Sequence, residues 1–278
     1  MIRGRSASID GLYPERLETF SFHDGRVAAS FMVTALTTLI PLCVPFERRK
    51  EAARGGATFN GEQKCWMAQR DKLDALLPFV PYRYRPDRKP PYIRPWMVPQ
   101  ALWGFNLRAF LAPEDWNRIR KEAYARSGSR CRVCGGRGPQ WPVEADEGWA
   151  YDDERRIQTL KGVISLCPDC HGVRHWGKTM TEGRQDAALA WMAEVNGWSR
   201  SEAARCGDQA MKQWHTRSRH TDWQCDISWA IRTYSVVPIK DGETLAHELN
   251  RKFVQQAQSR IGVRAGHVTH IEHLIGGR

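Results

Sequence analysis

The chain has 278 residues, and its 42 Lys and Arg outnumber its 31 Asp and Glu, which gives a formal net charge of +11. This length, with an apolar content of 41%, allows one large domain or two small ones. The longest apolar stretch, 31–46, is interrupted by threonine and proline and is too short to cross a bilayer as a helix. The composition therefore excludes a membrane-spanning protein and favours a polyanionic partner, most commonly nucleic acid.

Residues 1–93 are predicted to form an N-terminal segment to which the sequence assigns no function. Within it, the stretch 31–46 is predicted to be core, and a basic run follows at 47–54. From 81 to 99 the chain is rich in proline, arginine and tyrosine, which predicts an extended linker. This linker is either a solvated, charged connector or a segment that follows a phosphate backbone.

Residues 94–230 are predicted to form the functional domain. A helix begins at Pro113 and ends at Gly128, because proline is favoured in a first helical turn and glycine just after a last one. The next predicted elements are a short strand at 141–145, a polar turn at 152–154 and a second short strand at 161–166. A helix is predicted to begin just after Cys170.

Two packing helices and a C-terminal unit complete the predicted elements. The helices are 182–195, closed by Asn196-Gly197, and 199–214, capped by Ser199 or Ser201. Residues 231–278 are predicted to contain a short strand from Tyr234 and a turn at 240–242. An amphipathic helix follows, with four residues facing a core: Leu245, Leu249, Phe253 and Ile261.

Four of the eight cysteines form two close pairs, Cys131 with Cys134 and Cys167 with Cys170, separated by 32 residues. Two Cys-x-x-Cys pairs at this spacing are typical of a tetrahedral zinc site. Buried thiols or disulfides are the alternative, but the other four cysteines are scattered singly and no secretory leader is recognisable, so we expect a cytoplasmic protein with reduced thiols. A four-thiolate zinc is structural and leaves no open position for catalysis.

The run 164–177, Ile-Ser-Leu-Cys-Pro-Asp-Cys-His-Gly-Val-Arg-His-Trp-Gly, resembles the last strand, zinc knuckle and helix start of HNH-type endonucleases. The resemblance covers 95–230 and is to the bacterial and mobile-element members. It implies an α+β fold with a ββα-metal core on a treble-clef zinc scaffold, surrounded by helices. Other residues that carry it are Trp103-Gly104, Val143-Glu144-Ala145, Tyr151-Asp152 and Asn196-Gly197-Trp198.

The resemblance also implies a catalytic pattern, from which this chain departs. HNH enzymes use a histidine at the end of the first strand as general base and a final histidine near a divalent ion. His171 occupies the final position, whereas Asp146 stands in place of the first histidine and Glu147 follows it. A carboxylate is a weaker base than imidazole, so catalysis is expected to be impaired, although Asp146, Glu147 and His171 could still bind Mg²⁺ or Mn²⁺.

Several basic residues surround the motif and are the candidate phosphate contacts: Arg130, Arg132, Arg137, Arg155, Arg156, Arg174 and His175. A solvated basic face is the alternative. The sequence thus predicts a zinc-stabilised protein that binds nucleic acid, with DNA as the expected ligand, and that has a catalytically degenerate HNH-like domain. An active metal-dependent nickase or endonuclease is one alternative. Another is a structural subunit of a larger mobile-element or antiviral nucleoprotein, with protein partners at the N- and C-terminal segments.

Overall fold

The structure, a computed structural model, describes residues 39–249. It contains two three-stranded sheets with helices packed around them, so the chain belongs to the mixed α and β class. Residues 31–38 of the predicted apolar core, together with Phe253 and Ile261 of the predicted C-terminal helix, lie outside the described residues. Within 39–249, no helix combines the length and apolarity that crossing a bilayer requires.

The first sheet belongs to an N-terminal lobe, residues 39–80. Its strands are antiparallel in the order β1-β3-β2, and the sequence pattern did not predict them. They are too short to show a period of two, since β1 has two residues and β2 three. The lobe contains β1 (Ile40–Pro41), α1 (Arg49–Arg54), β2 (Thr58–Asn60), β3 (Cys65–Ala68) and a 3₁₀ segment (Arg70–Phe79).

The second sheet is a long antiparallel hairpin of β4 (Glu144–Asp152) and β5 (Ile157–Leu166), with β6 (Gln224–Asp226) added in parallel to β5. Both hairpin strands were predicted but are longer than expected. The pairing continues past a bulge between Gly148 and Trp149, where Gly148 faces Gly162, so polar residues beyond the bulge remain in the ladder. The short strand β6 was not predicted.

Helices surround the hairpin on both sides. Their bounds are α2 (Leu107–Phe110), α3 (Pro113–Arg126), α4 (Pro168–Arg174), α5 (Trp176–Thr181), α6 (Gln185–Asn196), α7 (Arg200–Ser218) and α8 (Ser228–Tyr234), and residues 242–249 are also helical. The predicted start at Pro113 and the cap by Ser199, which forms a capping box with Glu202, are confirmed. Leu245 is buried and Leu249 packs beside it, as predicted for the last helix.

Two predicted elements are wrong. The helix after β5 begins at Pro168, before Cys170, because proline fits the first helical turn and Cys167 already has an extended backbone. Tyr234 ends α8 instead of beginning a strand. The chain that follows is irregular, and the Ile239 amide donates to the Phe110 carbonyl oxygen at 2.8 Å.

The segment 81–99 is packed into the core and is not a solvated linker. Tyr82 and Ile93 are almost fully buried, and the backbone amide of Tyr82 donates to the Arg132 carbonyl at 2.8 Å. The side chain of Asn196 accepts from the amides of Tyr92 and Ile93 and donates to the Ile93 carbonyl. Apolar residues inside the proline- and arginine-rich pattern therefore hold this segment against the second sheet and its helices.

Candidate metal centres

The four paired cysteines meet in one buried cluster at the base of the β4–β5 hairpin. Cys131 and Cys134 precede β4, whereas Cys167 and Cys170 lie at the junction of β5 and α4. Their sulfur atoms all lie within 4.8 Å of one another, and the Cys134 and Cys167 sulfurs are 3.6 Å apart. Four thiolates around a tetrahedral zinc ion, each about 2.3 Å from it, sit at about this separation from one another. The cluster could hold a structural zinc ion.

Two N–H groups point at the cluster sulfurs. The Gly136 amide lies 3.3 Å from Cys134 Sγ, and the Trp191 indole N–H lies 3.2 Å from Cys170 Sγ. Such donors stabilise thiolates and orient them, which is the usual second layer around a protein metal site. The donor set therefore fits a metal-bound cluster better than four neutral thiols.

Gly135 lets the first cysteine turn sit against the N-terminal lobe. Its φ of +78° is unfavourable for other residues, and a β-carbon there would lie 2.9 Å from Pro41 Cγ and 3.0 Å from Pro81 Cγ. The turn is thus both left-handed and closely covered. Its position places the cysteine cluster at the contact between the two sheets.

A second group of potential ligands lies farther along the same hairpin and helix. Asp146 on β4, His171 on α4 and His175 after it place one ligand atom each within 4.8 Å of the others. Asp146 Oδ1 is 3.8 Å from His171 Nε2 and 3.6 Å from His175 Nε2. One carboxylate and two imidazoles are a donor set that suits Mn²⁺, Zn²⁺ and similar divalent ions.

Glu144 holds His171 in place. Its Oε2 lies 2.6 Å from His171 Nδ1, and this hydrogen bond holds the pKa of Glu144 below its usual range. The pairing assigns the His171 proton to Nδ1, which leaves Nε2 free to face Asp146. Glu144 and Asp146 share one face of β4 because they are two residues apart.

Arg174 occupies the other side of Asp146. Its Nε and Nη2 atoms both lie 3.0 Å from Asp146 Oδ2, and its guanidinium group stacks 4.0 Å from the centre of the Trp96 ring. Asp146 and Arg174 are each only 3% exposed. This pairing neutralises the carboxylate, and it removes Arg174 from the exposed basic surface on which the sequence had placed it.

Glu147, the neighbour of Asp146, points away from the two histidines, because adjacent strand residues face opposite sides. Its Oε1 accepts from the Leu107 amide at 2.9 Å. Burial, together with the charge of Asp146, raises the pKa of Glu147 to about 8. The structure therefore does not bring Glu147 together with Asp146 and His171, and it places His175 there instead.

The other predicted phosphate contacts lie in two settings. Arg130 and Arg137 donate to backbone carbonyls within the first cysteine turn, those of Gly135 and Ser129. Arg132 donates to the Pro78 carbonyl and so ties the turn to the N-terminal lobe. Arg156 is paired with Asp222, whereas Arg155 is 79% exposed and lies 3.9 Å from Asp152. Of this group, Arg137 and Arg155 are exposed.

A cavity of about 730 Å³ opens beside Asp146 and His175. It is lined mainly by aromatic and apolar side chains, with Arg108 and Lys178 among its polar residues. The sequence did not indicate this cavity, because its walls come from segments far apart in the chain. The pairing of Glu144 with His171 was also missed, although the two-residue spacing from Asp146 on a strand would have suggested it.

Comparison of the chain with protein-family models, with curated proteins and with solved structures finds no match.

Proposed function

We propose that this chain is a zinc-stabilised nucleic-acid-binding protein, with DNA as its ligand, built on an HNH-like ββα core whose hydrolytic site is degenerate. The observation that carries the proposal is the pair of cysteine turns that bracket the β4–β5 hairpin and continue directly into α4. This order, turn, hairpin, turn and helix, is the one that the sequence resemblance implies. A zinc ion bound by the four thiolates would lock the hairpin to the helix.

The contact between Arg174 and Asp146 supports the loss of hydrolysis. A general base needs a free lone pair close to the attacking water, and its pKa should lie near the working pH. The Asp146 carboxylate is buried, and a guanidinium group 3.0 Å away occupies its Oδ2 atom, so that oxygen is not open to an attacking water. This arrangement favours impaired cleavage.

The net charge of +11 supports a polyanionic ligand. The test is the dissociation constant of the full-length protein for a labelled DNA duplex, measured by fluorescence anisotropy over a series of NaCl concentrations. Affinity should fall steeply and linearly on logarithmic axes as salt rises. Arg155→Gln should reduce the slope by about one, while Lys50→Gln, which removes an exposed charge on α1, should leave it unchanged.

Salt-independent binding, or no binding to DNA or RNA at the lowest salt concentration, would contradict the proposal. Binding to RNA but not to DNA would keep a nucleic-acid function and correct the ligand. Equal losses of slope for Arg155→Gln and Lys50→Gln would mean that overall charge, and not the surface around the hairpin, makes the contact.

A second candidate function, metal-dependent phosphodiester hydrolysis, is favoured by the cluster of Asp146, His171 and His175. A divalent ion held there would stabilise negative charge on a phosphate. The residues of this chain would contribute the orientation of His171 through Glu144 and a nearby cation at Lys178. Asp146 Oδ1 faces the two histidines while Arg174 holds Oδ2, so the carboxylate could bind the ion without releasing Arg174.

Nicking of supercoiled plasmid with Mg²⁺ or Mn²⁺ separates the two candidates. If the natural protein nicks and His171→Ala does not, the protein is an active nuclease and the degenerate assignment is wrong. If only Asp146→His nicks, the site has lost its base while keeping its scaffold. If none of the three nicks while salt-sensitive DNA binding persists, the protein binds without hydrolysing.

A further inference from the structure

The cavity beside the second ligand cluster has the composition of a ligand site. Its volume of about 730 Å³ falls in the range of about 300–1,000 Å³ that small-molecule sites occupy. The walls are dominated by aromatic rings and methionines, the ring residues being Trp96, Trp103, Phe105, Trp116, Trp149 and Trp214. Such a surface accepts a flat, apolar group by stacking and dispersion contact.

Charge at the cavity indicates an anionic ligand. Two carboxyl groups line the cavity: Arg174 neutralises Asp146, and burial raises the pKa of Glu147 to about 8. Lys178 and Arg108, both exposed, add positive charge to the lining. Lys178 Nζ lies 3.7 Å from Glu182 and its side chain is 71% exposed, which leaves it accessible from solvent. A flat ring joined to an anionic group describes a nucleotide.

One ring of the wall is already arranged as a stacking platform. Trp103 and Trp214 are nearly parallel, with centroids 6.0 Å apart and planes at 12°, and the Trp103 indole N–H donates to the Val98 carbonyl at 3.1 Å. Trp103 is 39% exposed although it lines the cavity. The ring is therefore held in a fixed orientation while part of it faces solvent.

We propose that this cavity binds one unstacked nucleobase of a nucleic-acid strand, which stacks on Trp103 while the adjacent phosphates lie near Lys178 and Arg108. The inference rests on the proposed nucleic-acid function and adds to it the chemical group that is bound beside the second ligand cluster.

The experiment compares two single-stranded DNA oligonucleotides of equal length at one salt concentration, one of natural sequence and one with abasic sites throughout. The full-length natural protein should bind the natural oligonucleotide about tenfold more tightly, because each stacked base contributes to affinity. Trp103→Ala should bind the natural oligonucleotide about tenfold more weakly than the natural protein does, and its affinity for the abasic oligonucleotide should be unchanged. Trp103→Phe should retain most of the preference for the natural oligonucleotide.

Trp141→Ala is the matched control, since Trp141 is 64% exposed and lies outside the cavity wall. It should leave both affinities unchanged. The comparison of the two oligonucleotides on the natural protein needs no variant, so equal affinities would overturn the base site even if Trp103→Ala fails to fold.

Equal affinity of the natural protein for the two oligonucleotides would overturn the base site, while salt-sensitive duplex binding would still uphold the proposed function. Deoxyadenosine monophosphate competing as well as the oligonucleotide, at equal concentration, would also overturn it, because the ligand would then be a free nucleotide. Absence of binding to every nucleic acid tested would overturn both proposals.

Discussion

At the scale of single residues, Arg174 determines much of what the second ligand cluster can do. Its guanidinium group lies between the Asp146 carboxylate and the face of Trp96, and both charged groups are buried. Removing one partner of such a pair leaves an uncompensated buried charge, which typically costs about 3–5 kcal/mol. The carboxylate is thus held by the fold as well as by any ion it binds.

Gly135 is a residue at which geometry predicts a measurable cost. Replacing it with alanine should lower the free energy of unfolding by about 1–3 kcal/mol. The reason is that its φ is +78° and the added carbon would meet Pro41 at 2.9 Å. Urea unfolding of Gly135→Ala measures the loss. Gly61→Ala, where a β-carbon meets nothing within 4 Å, should change stability by no more than a few tenths of a kcal/mol.

Cys225 is predicted to resist alkylation in the folded protein. Burial is the main cause that raises the pKa of its thiol to about 12, and the sulfur lies 3.6 Å from Gln158 Nε2. Since the thiolate is the reactive form, folding should slow modification at pH 8 by about a thousandfold. Mass spectrometry of iodoacetamide-treated protein, with and without urea, gives the ratio. Similar rates in both states would show an accessible, ionised thiol.

At the scale of elements, the hairpin and α4 carry both ligand groups. The cysteine cluster lies where β5 enters α4, and the Asp146 cluster lies on the facing surfaces of β4 and α4. Any movement of α4 relative to the hairpin would therefore displace both groups together. The four thiolates make this arrangement rigid once they share an ion.

Zinc removal should therefore destabilise these elements. Purified protein should contain about one zinc per chain, and a strong chelator or Cys170→Ser should lower the melting temperature by more than about 10 °C, because structural zinc contributes its binding free energy to folding. Cys206→Ser, which changes a cysteine outside the cluster, is the control and should melt like the natural protein. Metal-free protein with an unchanged melting temperature would contradict the zinc assignment.

At the scale of the whole molecule, segments distant in sequence enclose the hairpin. The N-terminal lobe contacts the first cysteine turn through Cys43, whose sulfur lies 3.4 Å from the Cys131 carbonyl oxygen. The segment 81–99 contributes Tyr82 and Ile93 to the same apolar cluster as the four cysteines. The cysteine cluster is thus a junction of several parts of the chain.

Substitution of Asn196 tests whether contacts between distant segments stabilise the fold. Its side chain makes three hydrogen bonds to the backbone of Tyr92 and Ile93, across more than 100 residues of sequence. Asn196→Ala should leave buried backbone groups without partners and lower the free energy of unfolding by about 2–4 kcal/mol in urea titration. Asn117→Ala, which removes a local partner of Arg120 on α3, should cost less than about 1 kcal/mol. Equal costs would show that 81–99 is not held by this contact.

Local patterns in the sequence determined the features that depend on neighbouring residues. The spacing of the cysteines predicted that the four thiols form one group, since each Cys-x-x-Cys turn brings its two sulfurs together by itself. The start of α3 at Pro113, the cap of α7 by Ser199 and the existence of the hairpin also follow from local preferences.

Only the tertiary structure decided which groups surround Asp146 and what covers the cysteine cluster. Arg174 looked like an exposed cation in the sequence because it lies in a basic region, yet it is buried by packing against Trp96, 78 positions earlier in the chain. The burial of 81–99, the parallel pairing of β6 and the aromatic cavity likewise depend on contacts between distant segments. Such contacts leave no local periodicity, because each is set by how whole elements pack.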